Sequence, residues 1–227
     1  MLQLQPSWLR GYRQKNLSIL EKKPLKKSQY FSVAELDQSL SIQDNQAETQ
    51  IPKELEKKGL KVFTWNQALL SIPDKIKYIL EKEENPKNQY EAFINSNFNT
   101  GFIIIAKDDN FKDLIEFEIK GQKNSIIKNI VIIEKNTQNL KILQHLREDT
   151  KYLNQTIFLE ENSQLVFVKV FDIKDQALVN QQNFLQKDAR LITSNVFVNG
   201  ETIHARTLNY LVGEGSDIKQ FDFSYLD

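Results

Sequence analysis

A short polar turn recurs along the second half of this chain at a nearly fixed interval. Glu134-Lys135-Asn136-Thr137-Gln138-Asn139-Leu140 is matched by Glu160-Glu161-Asn162-Ser163-Gln164-Leu165. Weaker copies follow at Gln186-Lys187-Asp188-Ala189-Arg190-Leu191 and Gly213-Glu214-Gly215-Ser216-Asp217-Ile218. The first residues of these turns lie 26, 26 and 27 positions apart. Each follows an apolar run ending in Ile133, Leu159, Leu185 or Val212, and each leads into another apolar residue. A period of this size marks a stacked architecture, in which one repeat cannot bury its apolar face alone and only the stack is stable. The repeating unit is strand, polar turn, strand.

The runs between the turns fit that unit. Phe102-Ile103-Ile104-Ile105 reads as a buried strand, and Ile115, Phe117 and Ile119 alternate with charged residues. Ile126, Ile127 and Ile130 to Ile133 follow, and from there the repeat governs. Leu140, Ile142 and Leu143 make one strand, and Ile157 and Leu159 the next. Leu165 and Phe167 come with Val166, Val168 and Val170 interleaved. Leu191, Val196, Val198, Ile203, Ala205, Leu208 and Leu211 continue the series. Short strands rich in branched and aromatic residues, bounded by Asn, Asp, Gly and Ser, indicate an all-β region. An antiparallel sandwich also spaces its strands about 8–12 residues apart. The recurrence of the turn itself favours the β-solenoid.

The first 100 residues follow a different grammar. Trp8, Leu9, Tyr12, Leu17 and Leu20 fall near helical spacing, and Lys23-Pro24 stops the run because proline disfavours helix in the residue before it. Tyr30 to Leu36 is a candidate short strand or turn, and Ser39 to Pro52 is polar, without period, and reads as a flexible linker. Leu60, Val62 and Phe63 form a short strand, after which Thr64 is placed to cap a helix through Leu70. Ser71 and Pro73 start a second helix with Ile76, Ile79 and Leu80 on one face, and a third runs near Gln89 to Asn97. The expected division is a helical arm and linker over 1–52, a small helical region over 53–100, and a β domain over 101–227.

Composition narrows the chemistry. Lys plus Arg equals Asp plus Glu at 30 each in 227 residues, so no overall field attracts nucleic acid, and none is expected as a partner. Basic residues crowd the N-terminus at Arg10, Arg13, Lys15, Lys22, Lys23, Lys26 and Lys27, where a solvated helix face is the reading. With no cysteine, the chain supplies neither a disulfide nor a thiolate ligand or nucleophile. The start of the chain lacks a secretory pattern, and no apolar run approaches the roughly 18 residues that span a bilayer. A cytoplasmic protein with no membrane partner is expected.

Several segments, taken in order, resemble one family. After the helical N-terminal part come the pair Ala68…Pro73…Ile76…Leu80 and the segment Phe93…Asn95…Asn97…Thr100-Gly101-Phe102-Ile103-Ile104. The repeated turns follow, then Ser194-Asn195-Val196…Gly200-Glu201…Ala205-Arg206…Leu208…Gly213. Over most of 60–225 this order resembles the SufB/SufD family of iron–sulfur cluster assembly proteins, more its SufD side. The resemblance implies a mainly β fold, a right-handed parallel β-helix with an N-terminal α-helical region. It also implies partnership with a SufB-like subunit and a SufC-like ABC-type ATPase, in an assembly that builds and passes on iron–sulfur clusters. SufD-like subunits are scaffolds, so no catalysis is expected, and no cofactor is expected on this chain alone; the cluster or iron belongs to the complex. The family continues past the segment that here ends at Asp227, so the chain is expected to be short at its C-terminus. An edge of strand groups at the end of the stack is expected to drive homodimerisation or aggregation.

Few residues suggest a site of their own. The two histidines, His145 and His204, are 59 positions apart, too few for a histidine-rich zinc site. His204, in Ile203-His204-Ala205-Arg206, is a weak candidate for a metal contact, with a surface or hydrogen-bonded role as the alternative. His145, with Arg147 and Glu148, is expected in a turn. Asp108-Asp109-Asn110 offers oxygen ligands to a hard cation but has no second acidic cluster beside it. Glu201 and Arg206 are expected to pair across a turn, and Gly200 and Gly213 to supply positive φ at corners. No Gly-rich phosphate loop is present. Two other functions fit a solenoid: a carbohydrate-active enzyme, which needs acids clustered on one face, and a generic β-solenoid interaction protein.

Overall fold

The computed structural model describes residues 5–22, 55–56, 58–83, 89–107, 111–121, 125–147, 150–173, 177–199 and 203–224. The linker expected over 39–52, the Tyr30–Leu36 segment, the Asp108-Asp109-Asn110 turn, Gly200 and Glu201 lie outside the described residues.

Among the described residues ten strands follow Gly101. They are β2 (Phe102–Ala106), β3 (Leu114–Ile119), β4 (Ile126–Ile133), β5 (Leu140–Leu146) and β6 (Tyr152–Leu159). Then come β7 (Gln164–Asp172), β8 (Ala177–Leu185), β9 (Arg190–Asn199), β10 (Ile203–Leu211) and β11 (Asp217–Ser224). Consecutive strands do not pair. The even strands, with β1 (Lys61–Thr64), form one sheet in the order β1-β2-β4-β6-β8-β10, and the odd strands form the other, β3-β5-β7-β9-β11. Every pair is parallel except β1 with β2. The column Ile104, Val131, Ile157, Asn183 and Asn209 shows the register: each coil sets a residue on its equivalent one repeat later. The chain is thus a parallel β-solenoid, as the turns implied. The stack starts one coil earlier than the recurring turn does, because β2 pairs in register with β4 and β3 with β5 although the sequence between β2 and β3 carries no copy of it.

The turns repeat for a steric reason. Asn136, Asn162, Asp188 and Gly215 all adopt left-handed backbone, with φ of 64°, 54°, 55° and 71°. Asn, Asp and Gly are the residues that tolerate this region. Successive corners bond along the stack: Asn136 N–H donates to the Glu161 carbonyl (3.1 Å), Asn162 N–H to Lys187 (2.9 Å) and Asp188 N–H to Glu214 (3.0 Å). Asn162 Nδ2 also donates to Asn136 Oδ1 at 2.9 Å.

The fourth turn departs from the sequence alignment. Val212 N–H donates to the Leu185 carbonyl as Gln186 N–H does to Leu159, so Val212, not Gly213, is the equivalent of Glu134, Glu160 and Gln186. One residue is inserted between Val212 and Gly215, the equivalents of Gln186 and Asp188. Gly213 does not have positive φ, which falls on Gly215 instead. A Cβ at Gly213 would overlap the backbone of Lys187 in the turn below, so the requirement there is close approach.

Two apolar clusters hold the fold. One fills the solenoid between the sheets, with Ile104, Val131, Ile157, Ile142, Phe167 and Phe171 among its members. The other covers the outer face of the even sheet. There lie α1 (Ser7–Lys22), α2 (Trp65–Ser71), α3 (Pro73–Lys82) and α4 (Gln89–Asn97). Thr64 caps α2 in a reciprocal box with Gln67, and Pro73 occupies the first turn of α3, as the sequence anticipated. Ile76, Ile79 and Leu80 of α3 pack with Ile103, Ile105, Ile130 and Ile132 of the sheet. Residues 91–96 of α4 are buried because that helix contacts α1 as well as β4 and β6. Each fully buried Ile, Leu or Phe in these clusters stabilises by about 1.5–3 kcal/mol relative to exposure.

Candidate functional site

The two ends of the solenoid differ. At the first coil β1 extends the even sheet, and Leu55, Leu60, Val62 and Phe111 join the interior cluster, closing the base. Phe102 and Phe117 meet edge to face there, with ring centres 6.0 Å apart. At the last coil the outer edges of β10 and β11 pair with no strand among the described residues. Side chains that continue the interior columns are exposed there: Ala205, Asn209, Leu211, Gln220 and Asp222. Phe221 and Phe223 on the outer face of β11 are 50% and 59% exposed, and Val212 in the adjoining turn 62%. These are the apolar side chains and unpaired backbone groups of a surface suited to strand addition.

Polarity inside the solenoid rises toward that open end. The inward residues of β2 and β3 are apolar throughout, whereas later coils insert two polar columns. On the even sheet the column is Asn129, Gln155, Gln181 and Thr207. On the odd sheet it is Gln144, Lys169, Asn195 and Asp222. Lys169 is fully buried, and burial lowers its ammonium to about 7, with Asp222 acting the other way. Around the last coils the amides form a chain. Gln181 Nε2 donates to Asn183 Oδ1 (2.8 Å), Asn183 Nδ2 to Asn209 Oδ1 (2.7 Å), and Asn209 Nδ2 to Gln220 Oε1 (3.4 Å). Gln220 Nε2 then donates to Asp222 Oδ2 (3.2 Å), whose Oδ1 accepts from Asn195 Nδ2 (2.7 Å).

A third polar group lies under the helices. Glu83, just past the end of α3, accepts from the Tyr12 hydroxyl (2.6 Å) and Lys128 Nζ (2.7 Å) on Oε2, and from Thr156 Oγ1 on Oε1. Lys128 Nζ also donates to Asn95 Oδ1 at 2.9 Å, which accepts from Asn154 Nδ2 at 2.6 Å. The Lys128 and Glu83 side chains have no exposed surface. Burial first, then the Glu83 carboxylate, holds the Tyr12 phenol well above its ordinary value. The network ties α1, the end of α3, and α4 to β4 and β6. Its carboxylate oxygens are already occupied by donors, so it acts as a clamp between layers.

The residues singled out from sequence do not gather into a site. His204 is exposed on the outer face of β10, its ring centre 5.9 Å from that of Tyr90. His145 lies within strand β5 and not in a turn, and its Nε2 is 2.8 Å from Glu116 Oε1 on β3. Strand alternation aims it outward, where the apolar run Leu140, Ile142 and Leu146 leaves it no place in the core. No group of three or more His, Cys, Asp or Glu among the described residues is placed to hold a metal ion, so nothing joins His204. Glu83, Lys128, Lys169, Asn195 and Asp222 were not anticipated. The available signal was a lysine inside an apolar strand, at Ile127-Lys128-Asn129 and Val168-Lys169-Val170. No helix among the described residues is long and apolar enough to cross a membrane.

Among known proteins, no family model matches this chain, and no curated protein matches it.

Proposed function

We propose that the chain is a SufD-like scaffold subunit of iron–sulfur cluster biogenesis, working through complex formation and not through catalysis of its own. Its partners in this reading are a SufB-like subunit and a SufC-like ABC-type ATPase. The cluster, or the iron for it, is cargo of the complex. The observation that carries the reading is the last described coil, where the edges of β10 and β11 pair with no strand among the described residues and lie beside Leu211, Phe221 and Phe223. A second solenoid can add its strands to such edges, with backbone bonds supplying affinity and the flanking apolar side chains supplying fit. The order of elements, helices first and then parallel coils, agrees with the segments that resemble the family.

Co-expression of the tagged full chain with a SufB-like and a SufC-like protein tests the proposal. Recovery of both is expected, and recovery at least tenfold lower with the Leu211→Lys, Phe221→Lys double variant. Recovery of neither partner by the folded chain would leave a generic β-solenoid interaction protein as the reading, since the same open edge serves that function. A carbohydrate-active enzyme draws less support, because the acids on the outer face of the odd sheet are spread along its strands, with Glu118 and Asp172 bridged by Arg147.

A further inference from the structure

Lys169 is a buried amine with no ion-pair partner among the described residues. Its Nζ sits 5.5 Å from the centre of the Phe171 ring, and Asp222 is the carboxylate whose charge it feels. An isolated ammonium in an apolar interior is costly enough that it is either hydrated or neutral. Its neighbours in the column are Gln144 on β5 and Asn195 on β9. The Gln144 Oε1 and Asn195 Oδ1 atoms are buried and accept no hydrogen bond from the protein. Across the interior, Asn129 Nδ2, both polar atoms of Gln155, and Gln181 Oε1 are unpartnered too. Buried polar atoms are bonded in the great majority of proteins, so a continuous run of exceptions calls for a ligand.

The chemistry of the run selects that ligand. Amide oxygens flank the ammonium on both sides, and Asp222 stands at the mouth, an arrangement that disfavours an anion. A water molecule accepts from the ammonium and donates to an amide oxygen, matching both ends. The apolar base beneath Ile104 and Phe117 closes the run at one end, and the exposed Asn209, Gln220 and Asp222 open it at the other.

We propose that the interior of the solenoid is a hydrated seam, entered at the β10–β11 coil, in which water links Lys169 to Gln144 and Asn195 and so to Asp222. The seam passes water and protons between solvent and a buried amine in the free chain, where the β10–β11 coil is uncovered. Asp222 is the titratable group facing Lys169 within the interior among the described residues. Its column neighbours Gln144 and Asn195 are neutral, as are Gln155 and Gln181 in the polar column of the other sheet.

Lysine side-chain NMR on the full chain tests this, with the Lys169 resonance assigned by its loss in Lys169→Met. One lysine is expected to titrate reversibly between about pH 6 and 8 in the folded protein, as burial requires. Its side-chain protons are expected to show magnetisation transfer from water. Asp222→Asn, at an exposed position, should move the midpoint down and leave the fold intact. A Lys169 signal without water transfer, or one unmoved from pH 5 to 9, would overturn the seam, as would a midpoint near that of surface lysines. Asn195→Leu, placed to plug the seam, should slow proton exchange at Lys169. Unchanged exchange in a folded Asn195→Leu protein would equally refute it.

Discussion

The first and last coils are built from the same repeat, yet one is a core and the other a surface. At the first coil Phe102, Ile104, Phe117 and Ile115 are buried, and Leu55, Leu60 and Phe111 lie over them. At the last coil the equivalent positions carry Thr207, Asn209, Gln220 and Asp222, and Leu211 is 55% exposed. A solenoid coil makes only nearest-neighbour contacts, so each end must be either capped or completed by something else. Residue chemistry follows that division: apolar at the first coil, which β1 and its neighbours cover, and polar inside with apolar side chains outside at the last described coil.

The sharpest break of this contrast is a pair of truncations. Phe117→Ala should cost about 3–5 kcal/mol by leaving a cavity at the closed end. Phe223→Ala at the open end should stay within about 0.5 kcal/mol. Urea unfolding measures both, and equal losses would erase the distinction between the ends. Of similar size is Glu83→Ala, which strands the buried Lys128 ammonium and should cost about 3–5 kcal/mol. Adding Lys128→Met to a Glu83→Leu change should restore much of it, since two apolar side chains replace two desolvated charges.

The next effect depends on pH. Lys169 titrates at about 7 when folded, below its unfolded value near 10.5, so the unfolded chain binds the extra proton between those limits. This contribution to stability is therefore greatest above pH 10.5 and falls with pH until it levels below 7. Lys169→Met should remove that slope and stabilise the protein at neutral pH by roughly a few kcal/mol. A variant whose stability keeps the wild-type pH slope would place the titration elsewhere.

Smaller still is Gly213→Ala, where overlap with the Lys187 backbone should cost about 1–3 kcal/mol. The smallest change in stability, within about 0.5 kcal/mol, is expected for Leu211→Lys with Phe221→Lys. That double variant should nonetheless abolish self-association of the isolated chain, seen by light scattering at high concentration. A monodisperse wild-type monomer under those conditions would argue that the open end does not bind its own kind.

The stack was legible because its constraint is local. Left-handed corners admit few residue types, so Asn136, Asn162 and Asp188 mark them in the sequence directly. Thr64 and Pro73 announced two helices in the same way. The fourth corner misled by one position, since Gly213 and Gly215 look alike in sequence and only the packing of Lys187 separates them. Of the polar sites, none was read. In Leu165-Val166-Phe167-Val168-Lys169-Val170-Phe171 both strand faces are apolar, so alternation alone does not say which one points inward. Stacking decides it: Leu165, Phe167 and Phe171 turn in, and Lys169 goes with them.

By itself, then, the sequence determined the period, the turn conformations, the helix starts and the mainly β class, all set by the conformational limits of a few residues. The tertiary structure alone decided that alternate strands belong to different sheets, that the helices cover one of them, and that Lys169 lies inside. Those outcomes depend on contacts between residues 26 or more apart, and no local preference encodes which face such contacts will bury.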